Sequence, residues 1–188
     1  MKKKLLIGIS IFYFLPLMLT ILQGCTCGSS RKQTYFEVTK MYLVTKVGGS
    51  IYDDTEIPVS SISQVSLWLR TDVRYYSSTK PFSSGFSAMA LSCEEVFTSK
   101  ETIESIEVYS NKDFEGYPAG TNLTDIMRLR DTQGGNFLDI SKRFIAKESY
   151  ELLFKENVTI TPNNHLFRVI LKDSKGKVFD MIKEVKFK

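Results

Sequence analysis

The feature that most narrows the fold is an alternation of apolar and polar residues at a period of two, broken at intervals of about 8 to 12 residues by turn chemistry. It is clearest in the last quarter. There, His165 to Lys172 and Lys177 to Lys186 flank Asp173-Ser174-Lys175-Gly176, so two strands are expected around a hairpin turn. Gln64 to Tyr76 repeats the pattern, with Val65, Leu67 and Leu69 against Ser66, Trp68 and Arg70. Tyr35 to Val47 is rich in Tyr, Phe, Val and Thr and stops at Gly48-Gly49-Ser50, a second hairpin signal. Phe86 to Cys93, Phe137 to Ile140, Ser149 to Phe154 and Val158 to Thr161 read as further strand-like pieces. Between Ile103 and Tyr109 the alternation is imperfect, which leaves the register open.

Helical periodicity is nearly absent. One short helix is expected near 122–130, where Asn122 can cap the first turn, Asp125 favours it, and Leu123, Ile126 and Met127 form one apolar face. It follows a loop from Asn111 to Gly120 and precedes another from Asp131 to Asn136. Short strands with a single brief helix imply an all-β, mainly antiparallel fold, a β-sandwich of immunoglobulin-like type spanning residues 34–188. The Cys, Trp, Cys order of antibody domains cannot supply its core, because Cys27 lies before the first strand.

The first 24 residues belong to a different regime. Lys2, Lys3 and Lys4 precede an apolar run from Leu5 to Leu22, the order of a signal peptide, and the run ends in Leu22-Gln23-Gly24-Cys25. An uncleaved helix would need about 20 apolar residues and is weakened by Gly8, Ser10 and Pro16; simple secretion with a chance cysteine is the other reading. Leu22-Gln23-Gly24-Cys25 resembles the lipobox of bacterial lipoproteins. The resemblance implies cleavage after Gly24, a diacylglycerol thioether on Cys25 and acylation of the new amino group, which anchors the chain without spanning the bilayer. Residues 25–33 then form a lipidated linker with a typical reach of only about 15 Å. Thr26 after the cysteine, in place of the Asp of an inner-membrane retention signal, favours the outer membrane, facing the periplasm.

Removing 24 of 188 residues leaves 164, enough for one domain. It also removes three lysines, so the formal charge of +4 becomes 22 basic against 21 acidic residues. That balance gives no ground for a nucleic-acid partner. In an oxidising compartment Cys27 and Cys93 can form a disulfide closing a long loop; the alternative is that Cys93 is a buried apolar thiol and Cys27 a free one.

Motifs that carry chemistry are sparse. His165 is the sole histidine, follows Pro162-Asn163-Asn164 and is expected to be an exposed turn residue; no G-x-S-x-G elbow accompanies it. One histidine and two remaining cysteines lack zinc spacing, and Asp53-Asp54, Glu94-Glu95 and the Asp113 loop do not match a calcium loop, so neither metal nor cofactor is expected. Trp68, Tyr75 and Tyr76 are candidates for stacking on a ligand, although Trp68 or its strand neighbours are expected to fill the core. Ser110-Asn111-Lys112-Asp113-Phe114 with Tyr117 to Leu123 resembles a segment of small bacterial lipoproteins of unknown function. The expectation is a membrane-anchored envelope lipoprotein acting as a non-enzymatic binding or structural module, with the membrane as one partner and an envelope protein or glycan as the other. A hydrolase or an immunity or inhibitor lipoprotein is the alternative.

Overall fold

The computed structural model describes residues 33–52, 56–77, 96–114, 116–155, 158, 160 and 162–188. The expected signal peptide, Cys25, Cys27, Cys93 and the expected strand Phe86 to Cys93 lie outside them. Chain contacts divide the molecule into Tyr35–Tyr76 with Thr98–Lys188, and Met1–Thr34 with Ser77–Phe97. The first unit is described below.

Alternation becomes two packed antiparallel sheets. One contains β1 (Gln33–Val47), β2 (Ser50–Tyr52), β4 (Val65–Ser77), β5 (Val96–Ser99), β7 (Met127–Asp131), β8 (Phe137–Leu138) and β10 (Ser149–Phe154). Their order is β2-β1-β4-β10-β7-β8, with β5 also on β1. The other contains β3 (Glu56–Ile57), β6 (Thr102–Ser110), β9 (Phe144–Ile145), β11 (Asn164–Asp173) and β12 (Val178–Phe187), in the order β3-β12-β11-β6-β9. Seven strands in chain order, β1, β4, β6, β7, β10, β11 and β12, are arranged first-second-fifth-fourth in one sheet and seventh-sixth-third in the other. That is the strand order of immunoglobulin constant-type sandwiches. The short β3 adds to β12 in parallel, Lys186 opposite Glu56 and Phe187 opposite Ile57.

Inward side chains fill the space between the sheets: Val65, Leu67 and Leu69 from β4, Leu129 from β7, Leu152 from β10, and Phe167, Val169 and Leu171 from β11. β4 and β11 are the strands that the inter-sheet disulfide joins in antibody domains, and neither carries a cysteine. Aliphatic and aromatic packing takes its place. At about 25 cal/mol per Å² of apolar surface, each fully buried Leu or Phe contributes about 1.5–3 kcal/mol.

Local sequence accounts for the turns and for two irregularities. Gly48 and Gly49 have φ of 56° and 86°, the backbone a two-residue hairpin needs, and they join β1 to β2 with Val47 opposite Ser50. At the other expected hairpin, Oδ1 of buried Asp173 accepts from the N–H groups of Lys175 and Lys177. In β6 the pairing slips so that Ser105 faces Lys172 but Ile103 faces Asp173. The extra residue is a β-bulge, which lets Ile103 and Ile106 both point inward despite their odd spacing. β1 changes phase between Val38 and Met41; Lys177 Nζ donates to the carbonyls of Val38 and Thr39 at the break.

The helix expected near 122–130 is a single 3-10 turn, Thr124–Ile126, running directly into β7. Asn122 Oδ1 accepts from Thr124 N–H as a cap would, but also from Val108 N–H, which ties the segment to β6. Leu123 and Met127 do face the core. Strand pairing of Met127–Asp131 with β10 claimed residues that the local apolar spacing assigned to a helix.

Candidate functional site

The sandwich exposes two outer faces, and every outward side chain on them is placed by strand pairing. On the five-stranded sheet, Tyr109, Arg168 and Ile182 stand in one cross-strand row, and Glu107, Ile170 and Asp180 in the next. Arg168 donates from Nε (2.9 Å) and Nη2 (2.6 Å) to the two carboxylate oxygens of Asp180. That bidentate pair holds Asp180 below the usual carboxylate range and Arg168 above its ordinary value. Tyr109 Oη donates to Glu107 at 2.8 Å, which raises its pKa. Around this polar lattice lie apolar side chains in water: Ile182 is 62% exposed and Leu166 43%. Together with Tyr109, Ile170 and the loop residues Asn111 and Gly120 they line a shallow groove of about 480 Å³. Arg168, Lys172 and Lys186 balance Glu107, Asp180 and Glu184 on this face.

On the seven-stranded sheet, pairing aligns Trp68, Glu151, Arg130 and Phe137 across four strands. Lys46 of β1 completes the row, its Nζ 3.6 Å from the centroid of the Trp68 ring and 3.8 Å from Glu151 Oε1. The Glu151 carboxylate is buried among its partners, accepting from Ser66 Oγ at 3.1 Å and from Arg130 through Nε and Nη2. Arg128 sits over Phe137, which is 59% exposed. Along β4 the row continues into Arg70, Asp72 and Arg74, with Tyr42 of β1 donating to Asp72 at 2.8 Å.

The three aromatic residues singled out from the sequence do not form one site. Trp68 is half-buried on the outer face, while its neighbours Val65, Leu67 and Leu69 fill the core. Tyr75 and Tyr76 are seven and eight residues further along the same strand, about 23 Å or more away at about 3.3 Å per residue. Tyr75 packs edge-on against Phe36 and donates to Glu148 at 2.6 Å, which pushes its pKa up to about 12. Tyr76 shares the ammonium of Lys100 with Tyr35.

His165 corrects a second expectation. It is not an exposed turn residue but 1% exposed, at the start of β11 and pointing inward. Phe114 (5.3 Å) and Phe187 (5.8 Å) meet it edge-on and Phe167 stacks at 5.8 Å; Ser110 Oγ lies 2.9 Å from Nδ1. Phe114 belongs to a segment whose turn residues read as a surface loop. Its own hydrogen bonds with Tyr117 and the Asp113 carboxylate on Ala119 N–H fold the loop so that its ring enters the core and stacks on Phe154. Among the described residues, no group of three or more His, Cys, Asp or Glu is placed to hold a metal ion.

Fold and faces together define an immunoglobulin-type sandwich with two chemically distinct outer sheets. No protein-family model matches the chain, and none of the curated proteins matches it. Among solved structures, a conjugative transposon lipoprotein from Bacteroides eggerthii is similar at 12% identity, over 81% of this chain and 95% of that one, with a TM-score of 0.29. A likeness of that degree carries neither fold detail nor function to this chain.

Proposed function

We propose that the mature protein, beginning at Cys25, is an envelope lipoprotein that acts by binding a protein partner rather than by catalysis, from the outer membrane facing the periplasm. The anchor rests on Leu22-Gln23-Gly24-Cys25 behind its cationic and apolar leader. The binding reading is carried by the groove on the five-stranded sheet, where exposed Leu166 and Ile182 and half-buried Ile170 lie beside the Arg168–Asp180 pair. Its balanced charge suits an envelope protein with a neutral, partly apolar surface rather than a polyanion. Enclosure of His165 among Phe114, Phe167 and Phe187 weighs against hydrolysis, since the sole imidazole is committed to packing.

Crosslinking in native envelopes tests the face. Wild-type protein should give a discrete adduct with an envelope protein, and Ile182→Glu should lose it while unfolding at the same denaturant concentration. An adduct that survives the substitution overturns the assignment.

A further inference from the structure

The outer face of the seven-stranded sheet carries more positive charge than the whole mature chain. Among the described residues of β1, β4, β7 and β10, outward or exposed Lys40, Lys46, Arg70, Arg74, Arg128 and Arg130 stand against Glu37, Asp72 and Glu151, an excess of three, where the mature chain has an excess of one. Glu151 is buried beneath Lys46 and Arg130, which places its two cationic partners nearer the surface. Exposed Phe137, Tyr42 and Tyr76 are interleaved with these cations. The two tyrosines, each with an apolar ring and a polar hydroxyl, suit the boundary between lipid and water.

We propose that this face rests on anionic phospholipid headgroups of the leaflet that holds the Cys25 lipid. The inference builds on the lipid-anchor reading above. Two observations favour a bilayer surface over other polyanions. Only seven residues separate Cys25 from β1, so a tethered sandwich stays within a few nanometres of headgroups at all times. The cations also spread over three strands as a broad sheet surface, β1, β4 and β7, rather than converging on one point as they would around a single phosphate. Each Lys or Arg brought to an anionic membrane surface adds attraction that fades within a Debye length, about 8–10 Å at ordinary ionic strength. A face held this way leaves the groove on the opposite sheet open to the periplasm.

Trp68 is the only tryptophan in the chain and lies at the centre of the face, so its fluorescence reports the contact directly. The full lipidated chain is reconstituted on vesicles of phosphatidylglycerol and phosphatidylethanolamine, or of phosphatidylcholine alone, each with a headgroup-nitroxide lipid. Loss of Trp68 emission is expected on the anionic vesicles. It should be absent on phosphatidylcholine, relieved at 1 M salt where the Debye length is about 3 Å, and absent in an Arg70→Glu, Arg74→Glu, Arg128→Glu variant that still pellets with the vesicles. Protein that pellets with both vesicle types yet keeps full emission overturns the face and leaves the anchor standing. Pelleting only with anionic vesicles, with release by salt, overturns the anchor and supports the face. Protein recovered in the supernatant from both overturns both.

Discussion

The two outer faces of the sandwich are built on the same backbone alternation and differ in how their charges are housed. On the five-stranded sheet the central ion pair, Arg168 with Asp180, is open to solvent, with side chains 52% and 42% exposed, and the surroundings are apolar and neutral. On the seven-stranded sheet the central carboxylate, Glu151, is only 8% exposed and ringed by Arg130, Lys46 and Ser66, with Arg70, Arg74 and Arg128 on the strands around it. The difference teaches that an ion pair's place in a row matters more than its geometry. A bidentate pair in water contributes at most about 1 kcal/mol, whereas a buried carboxylate with several donors is costlier to disturb.

Substitutions can break or sharpen that contrast. The largest effect is expected beneath both faces, at the loop ring they share: Phe114→Ala should lower unfolding free energy by about 3–5 kcal/mol, measured by urea denaturation, because it empties a site walled by Phe154, His165 and Phe167. A loss below about 1 kcal/mol, the size of an ordinary surface change, would mean the loop does not plug the core. Next comes the contrast itself. Glu151→Ala should cost about 1–3 kcal/mol, since it strands Ser66 Oγ and two cations, while Asp180→Ala should cost no more than about 0.5 kcal/mol. Equal losses would erase the distinction between the faces.

The smallest effect is a matter of pH. Tyr75 is raised from 10.0 to about 12, first by its hydrogen bond to Glu148 and then by desolvation. A raised phenol favours the folded state while protonated, so its contribution is complete below pH 10 and is lost as pH rises towards 12. Alkaline difference absorbance should lose one step near pH 12 in Tyr75→Phe; an unchanged titration curve would remove the Glu148 bond from the account.

Much of the fold was legible because its causes are local. Both hairpins were readable from Gly48-Gly49 and from Asp173-Ser174-Lys175-Gly176, where turn chemistry and strand period agree. The broken pattern at Ile103–Val108 was also informative, since a bulge is how a strand keeps two oddly spaced isoleucines on one side. The short helix was misread because Leu123, Ile126 and Met127 satisfy a helical face equally well, and pairing with β10 decided otherwise. His165 and Phe114 were misread for a related reason. Turn residues around them signal a surface, and only aromatic neighbours from β10, β11 and β12 bring the two rings inside.

The functional faces were barely legible. Lys46, Trp68, Arg130 and Glu151 lie up to 105 positions apart and carry no motif, yet pairing lines them up. Leu166 and Ile182 were readable as outward members of alternating strands, but not as neighbours of Tyr109 on one groove.

By itself the sequence determined the strand periods, the hairpin turns and which side chains of β4 and β11 point inward. Tertiary structure alone decided which strands became neighbours, and with that the basic face, the apolar groove and the burial of His165. The physical reason is range: alternation and turn preference act within a few residues, whereas cross-strand contact is chosen by which distant strands best bury one another's inner faces.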